Sequence, residues 1–282
     1  MFFRQGLKSN AFYADEVINI YLLRPIAAVI VWVLYGTPVT PNQVTVFAVL
    51  LGLGSAVAFA VHTPVSLVWA GVLIIAKDIF DDADGQLARA KQQYSRRGRF
   101  LDSIGDFVVD VAVFAGMSIA GSTYFGWPLA SLLAGAGCLG TTLRVSYHVF
   151  YQVSFLHLEN KYQLNRIIEE ETDDDRNGDP VALELQRVFN HIYGWQDRLM
   201  LRIDRWCKGR NFRKEVNPTW YGDRFALRLS GFMGFGTELT ILGVCAITGN
   251  IAAYLLLNVL LLNLVWLANV LYRKFILAPN VK

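Results

Sequence analysis

Six stretches of this 282-residue chain, at about 43–61, 66–90, 99–121, 127–150, 228–248 and 251–272, are apolar over the length a helix needs to cross a bilayer. A soluble domain has no use for several such runs. Composition agrees: 54% of residues are hydrophobic and only 17% charged, against about 25% charged in soluble proteins. The expected fold is an all-α integral membrane protein with six transmembrane helices. Met1–Glu16 carries charges and lacks an apolar core followed by a small-residue cleavage site, so no signal peptide is expected.

The distribution of charge orients these helices. The links His62–Val65, Gly121–Trp127 and Gly249–Ile251 contain no Lys or Arg. The opposite ends hold Lys91, Arg96, Arg97, Arg99, many basic residues between 161 and 228, then Arg273 and Lys274. By the positive-inside rule both termini and the basic ends face the cytoplasm, at the inner membrane if the cell is bacterial. Tyr21–Tyr35 is apolar but short, and is expected to lie on the cytoplasmic interface instead of adding a seventh span. The chain then divides into an interfacial segment 1–40, transmembrane helices one to four at 41–155, a helical cytoplasmic insert at 156–225 between helices four and five, and the last two helices with a tail at 226–282. Within the insert, Glu169–Asp175 reads as a solvated loop. Val181–Cys207 reads as an amphipathic helix, seated on the membrane or on a partner. Cys138, Cys207 and Cys245 form no metal or disulfide pattern. A net charge of +3 gives no case for nucleic acid.

Seven carboxylates need explaining. Asp78, Asp81, Asp82 and Asp84 end the second span, and Asp102, Asp106 and Asp110 begin the third. Each costs about 2.5–3.5 kcal/mol within a membrane helix. Asp81 and Asp84 share one helix face, and Asp102 and Asp106 share another. Folding the two helices antiparallel about a turn near 92–97 levels Asp84 with Asp102 and Asp81 with Asp106. Four converging carboxylates repel one another unless cations intervene, and an all-oxygen set suits two ions of Mg²⁺ or Mn²⁺. Gly85, Ala88 and Gly98 leave room for a ligand, and Arg89 and Lys91 supply cations for phosphate. An EF-hand is excluded, because it would need an acid where Phe80 stands and a glutamate where Lys91 stands. A cation transporter, which also buries carboxylates, stays as an alternative.

At these residues the chain resembles the CDP-alcohol phosphotransferase (CDP-alcohol phosphatidyltransferase) family. The family signature D-x2-D-G-x2-A-R-x8-G-x3-D-x3-D is met by Asp81, Asp84, Gly85, Ala88, Arg89, Gly98, Asp102 and Asp106. Thr40–Thr45 (TPNQVT) looks like the family's lead-in to its first span. The resemblance implies that Asp81, Asp84, Asp102 and Asp106 hold two divalent ions, with Asp106 also the base. It implies that Asn42, Thr45, Gly85, Ala88, Arg89 and Gly98 bind the CDP moiety. A CDP-linked lipid donor, a polar alcohol acceptor (glycerol phosphate, inositol phosphate or serine), CMP release and a homodimer follow from it. The reverse division, a soluble CDP-alcohol giving its headgroup to diacylglycerol, shares the signature. Outside it, Arg144 is expected to face the cavity and bind the acceptor, with Arg228 and Lys91 as further acceptor contacts. His148 is expected to be packing or interface.

Overall fold

The computed structural model describes residues 13–158, 168–209 and 218–280, and all its regular structure is helical. The basic residues at 159–167 and 210–217, part of the charge reading above, lie outside the described residues. In chain order the helices are α1 (Asn19–Tyr35), α2 (Pro41–Val61), α3 (Pro64–Lys91), α4 (Arg96–Phe125) and α5 (Trp127–Leu158). The insert contributes α6 (Asp173–Asn177), α7 (Pro180–Lys208) and α8 (Pro218–Gly222). Then come α9 (Arg224–Gly231), α10 (Phe235–Ile247) and α11 (Ile251–Asn280).

Five stretches are long and apolar enough to cross a membrane: α2, α4, α5, the α9–α10 stretch Arg224–Ile247, and α11. The 28-residue α3 is as long but carries Lys77, Asp78 and Asp81 from its midpoint onward, which interrupts its apolar run. Two expected spans are longer than their apolar cores, so that Gly126 alone separates α4 from α5. The expected fifth span breaks at 232–234.

Local chemistry sets the helix ends. Thr40 and Gln43 form a reciprocal capping box ahead of α2, with Pro41 at the first turn, and Thr63 and Ser66 repeat the device ahead of α3. His62 Nε2 lies 3.1 Å from Thr123 Oγ1, so the α2–α3 turn and the end of α4 share one side of the molecule. The α3–α4 turn, with the insert above it, lies at the other.

The main core joins α2, α3, α4, α10 and α11 through Phe59, Ile74, Val113, Met117, Leu242 and Leu255. The α3 and α10 backbones meet at Gly71 and Gly243, where a Cβ on Gly71 would overlap the Gly243 carbonyl. Outward faces stay apolar, with Trp32 80% exposed and Leu132 67% exposed, as expected where the solvent is lipid.

The insert departs most from its sequence reading. Glu169 is buried, and 173–177 is a helical turn capped by Thr172 in place of a solvated loop. Three arginines at the start of α4 hold this segment: Arg96 pairs with Glu169 and Asp175, Arg97 with Asp179, and Arg99 with Glu169. The amphipathic helix forms as α7 and packs on α4 and α5 of its own chain. Its buried positions include the polar Gln186, Gln196 and Asp204, while Trp195 and Trp206 remain exposed. Asp204 explains the polar burial: it accepts from Trp220 Nε1 at 2.8 Å, Lys208 Nζ at 2.9 Å and Tyr151 Oη at 3.2 Å.

Candidate active site

The helices α3 and α4 both pack on α2, and the tight turn between them sends the chain back alongside itself. Gln92 ends α3 in the left-handed region, φ 56°, and Ser95 caps α4 by accepting from the Gly98 N–H at 3.0 Å. The capped start of α2 fits against this turn. A Cβ on Gly98 would lie 2.8 Å from Asn42 Oδ1 and 3.1 Å from Ser95 Oγ, so glycine is what admits Asn42 here.

Between these helices lies a cavity of about 510 Å³. Its walls include Asp81, Asp84, Gly85, Ala88, Arg89, Gly98, Asp102 and Asp106, together with Asn42 and Thr45. One ligand oxygen from each of Asp81, Asp102 and Asp106 lies within 4.8 Å of the other two. Asp84 lines the same cavity outside this trio and accepts a hydrogen bond from the Thr45 hydroxyl. Asp102 Oδ1 is buried without a partner among the described residues. Three clustered carboxylates and an unsatisfied oxygen fit a hard divalent cation such as Mg²⁺ or Mn²⁺.

Lys77, not singled out by the sequence reading, is the counter-charge to this cluster. Its side chain is fully buried; Nζ donates to Asp106 and lies 3.5 Å from Asp81 Oδ1, with the Phe235 ring below it. The only sequence signal was its position one turn before Asp81. Asp110 and Arg24 also line the cavity, Arg24 bonded to Asp15 at 2.7 and 3.2 Å. The insert contributes Glu169, Phe189, Tyr193 and Asp197.

The expected acceptor contacts are placed elsewhere. Arg144 is fully buried and its anionic partner is Glu238 on α10: Nε to Oε1 at 2.7 Å and Nη2 to Oε2 at 2.8 Å. Asn263 Oδ1 at 2.6 Å and the Asn258 carbonyl at 3.2 Å occupy Nη1. Its neighbours Thr142, Val145 and Ser146 line the cavity; Arg144 points away from it. Lys91 donates to the Thr37 and Val39 carbonyls at 2.8 and 2.7 Å, tying α3 to the lead-in of α2. Arg228 lies over the Tyr13 ring, 5.3 Å from its centroid, outside the cavity lining. His148 is buried beside Ser230, at 3.2 Å.

A second, largely apolar groove of about 760 Å³ runs between α4, α5 and α7, lined by Phe107, Val111, Phe114, Ala134, Leu139 and Trp195 among others. Thr142 borders both spaces.

Residues 38–156 match the sequence profile of a family described as CDP-alcohol phosphatidyltransferase. This stretch of the chain belongs to the CDP-alcohol phosphatidyltransferase family. The transferase domain so defined runs from the lead-in of α2 almost to the end of α5, and leaves the insert and α9–α11 outside it. Similar proteins include a bifunctional IPC transferase and DIPP synthase of Thermococcus kodakarensis, 41% identical over 109 residues, or 39% of this chain and 23% of that protein. A phosphatidylinositol phosphate synthase of Mycobacteroides abscessus is 37% identical over 110 residues, 38% of this chain and 48% of that protein. An archaetidylinositol phosphate synthase of Pyrococcus horikoshii is 32% identical over 83 residues, 29% and 43% of the two chains. The matched stretch therefore spans between 23% and 48% of these relatives' own length.

Proposed function

We propose that this protein transfers a phosphatidyl-type group from a CDP-linked lipid to a polar alcohol and releases CMP. The observation that carries the reading is the single cavity that gathers the family signature, Asn42 and Thr45 around a carboxylate cluster. In this reading Asp81, Asp84, Asp102 and Asp106 would hold two divalent ions, Mg²⁺ or Mn²⁺. Bound there, such ions supply Lewis-acid charge opposite the diphosphate and the departing CMP.

The protein's own groups do the rest. Asn42 and Arg89 orient the diphosphate, while Gly85 and Ala88 leave space for cytidine beside α3. The acceptor oxygen forms a bond to the lipid-bearing β-phosphorus as the bond from that phosphorus to the bridging oxygen breaks. CMP leaves with that electron pair, and the acceptor's proton passes to Asp106. Lys77 fixes the Asp106 carboxylate so that one oxygen keeps its direction. The groove that shares Thr142 with the cavity suits a lipid chain lying beside the reacting phosphate. With α3 counted as a span, six helices cross the membrane, α1 lies at the interface, and the cavity opens to the cytoplasm.

Purified protein given CDP-diacylglycerol and a panel of alcohols should release CMP and form a new phospholipid. CDP-choline or CDP-ethanolamine with diacylglycerol should give none. CMP from the second pairing alone would reverse the division of substrates; cation flux in liposomes with no CMP from either would favour a transporter.

A further inference from the structure

The helix α7 lies outside the family-matched stretch, yet it is fastened to the carboxylate-bearing helix on both sides of Asp102. Before Asp102, Phe189 packs on Phe100 with ring centroids 5.4 Å apart. After it, the Tyr193 hydroxyl donates to the Ser103 carbonyl at 2.8 Å, and the Tyr193 ring meets Phe107 at 6.2 Å. One turn further along α7, Asp197 lines the cavity. Its carboxylate makes no hydrogen bond or ion pair among the described residues. Burial raises Asp197 to about 6, with Glu169 adding to the rise and Arg99 and Arg198 opposing it, so it is charged at neutral pH. An ionised carboxylate only accepts hydrogen bonds. The hydroxyl-bearing Thr142 and Ser146 line the same cavity, and Ser146 is hydrogen-bonded to Gln196 of α7. Arg99, which also lines the cavity, is paired with Glu169.

We propose that α7 is the acceptor-recognition wall of this cavity, and that Asp197 selects an alcohol presenting O–H or N–H donors in place of a phosphate. This rests on the transferase reading above. A phosphate at this wall would face the like charge of Asp197, whereas a polyol or amino alcohol satisfies it. The insert would then set acceptor choice on a scaffold that sets donor chemistry.

The test compares matched acceptors, inositol against inositol phosphate and glycerol against glycerol phosphate, with CDP-diacylglycerol and the full chain. The unphosphorylated member of a pair should be preferred in kcat/KM by about tenfold or more, the scale of one hydrogen bond to a charged group. Asp197→Asn should raise the acceptor KM by a similar factor and leave the CDP-diacylglycerol KM and the thermal midpoint in place. Asp197→Lys should shift preference toward the phosphorylated member. Preference for the phosphorylated acceptor by the unaltered protein overturns the proposal, and so does an Asp197→Asn variant that changes donor and acceptor KM equally or neither. Absence of CMP with every acceptor overturns the transferase reading itself, and this inference with it.

Discussion

Asp106→Asn should lower turnover by about three orders of magnitude, within the range of a lost general base, while CDP-lipid binding is largely kept. The amide oxygen can still coordinate weakly, but it cannot take the acceptor's proton. Asp81→Asn should behave differently and lose nucleotide binding as well, since Asp81 sits in the carboxylate cluster and also faces Lys77. Lys77 sharpens the comparison. Its ammonium is fully buried, with Asp106 as its closest partner, so Asp106→Asn removes the nearest of its counter-charges. Some loss of stability should accompany the loss of turnover, and the thermal midpoint must be measured with the kinetics. Steady-state rates with each substrate varied in turn, alongside CDP-lipid binding to the same preparation, separate the two effects. Near-normal turnover of Asp106→Asn would remove Asp106 as the base.

The second large effect is on stability. Arg144→Met should destabilise the protein by about 3–5 kcal/mol, because it strands the Glu238 carboxylate in the core without its guanidinium. Glu238→Leu should cost a similar amount by stranding Arg144. The double variant should recover most of either loss, since an apolar pair of similar volume replaces a desolvated ion pair. Thermal unfolding of the four proteins in one detergent measures this coupling directly. If Arg144 bound the acceptor instead, Arg144→Met would raise the acceptor KM selectively and leave the midpoint unchanged. Additive losses in the double variant would likewise contradict the pairing.

Arg144 marks the limit of what local sequence could reveal. A guanidinium in an apolar helix requires an anion, and that much was legible. Glu238 lies 94 residues away, and no spacing rule connects the two, so the acceptor was the nearest anion available to a sequence argument. The carboxylate cluster was legible for the opposite reason. Asp81 to Asp106 spans one helical hairpin, where the rise per residue and the side-chain period suffice to predict convergence. Asn42 was reached only through the resemblance of Thr40–Thr45 to the family's lead-in to its first span. Lys77 was not, because a single lysine at the edge of an apolar run carries no pattern. The clamp of Arg96, Arg97 and Arg99 on Glu169, Asp175 and Asp179 also joins positions at least 70 apart. From sequence those arginines carried only a topological meaning. The helical period of α7 was plain, but its seat was not, because Gln186, Gln196 and Asp204 are buried through distant partners.

As proposed, the clustered aspartates work as a divalent-metal centre for transfer from a CDP-linked lipid. Protein stripped with EDTA, returned to metal-free buffer and given CDP-diacylglycerol with its best acceptor should release no CMP. Adding Mg²⁺ or Mn²⁺ should restore release in the unaltered protein but not in Asp102→Asn, whose carboxylate would be one of the ligands. Full turnover in the metal-free buffer would contradict the account.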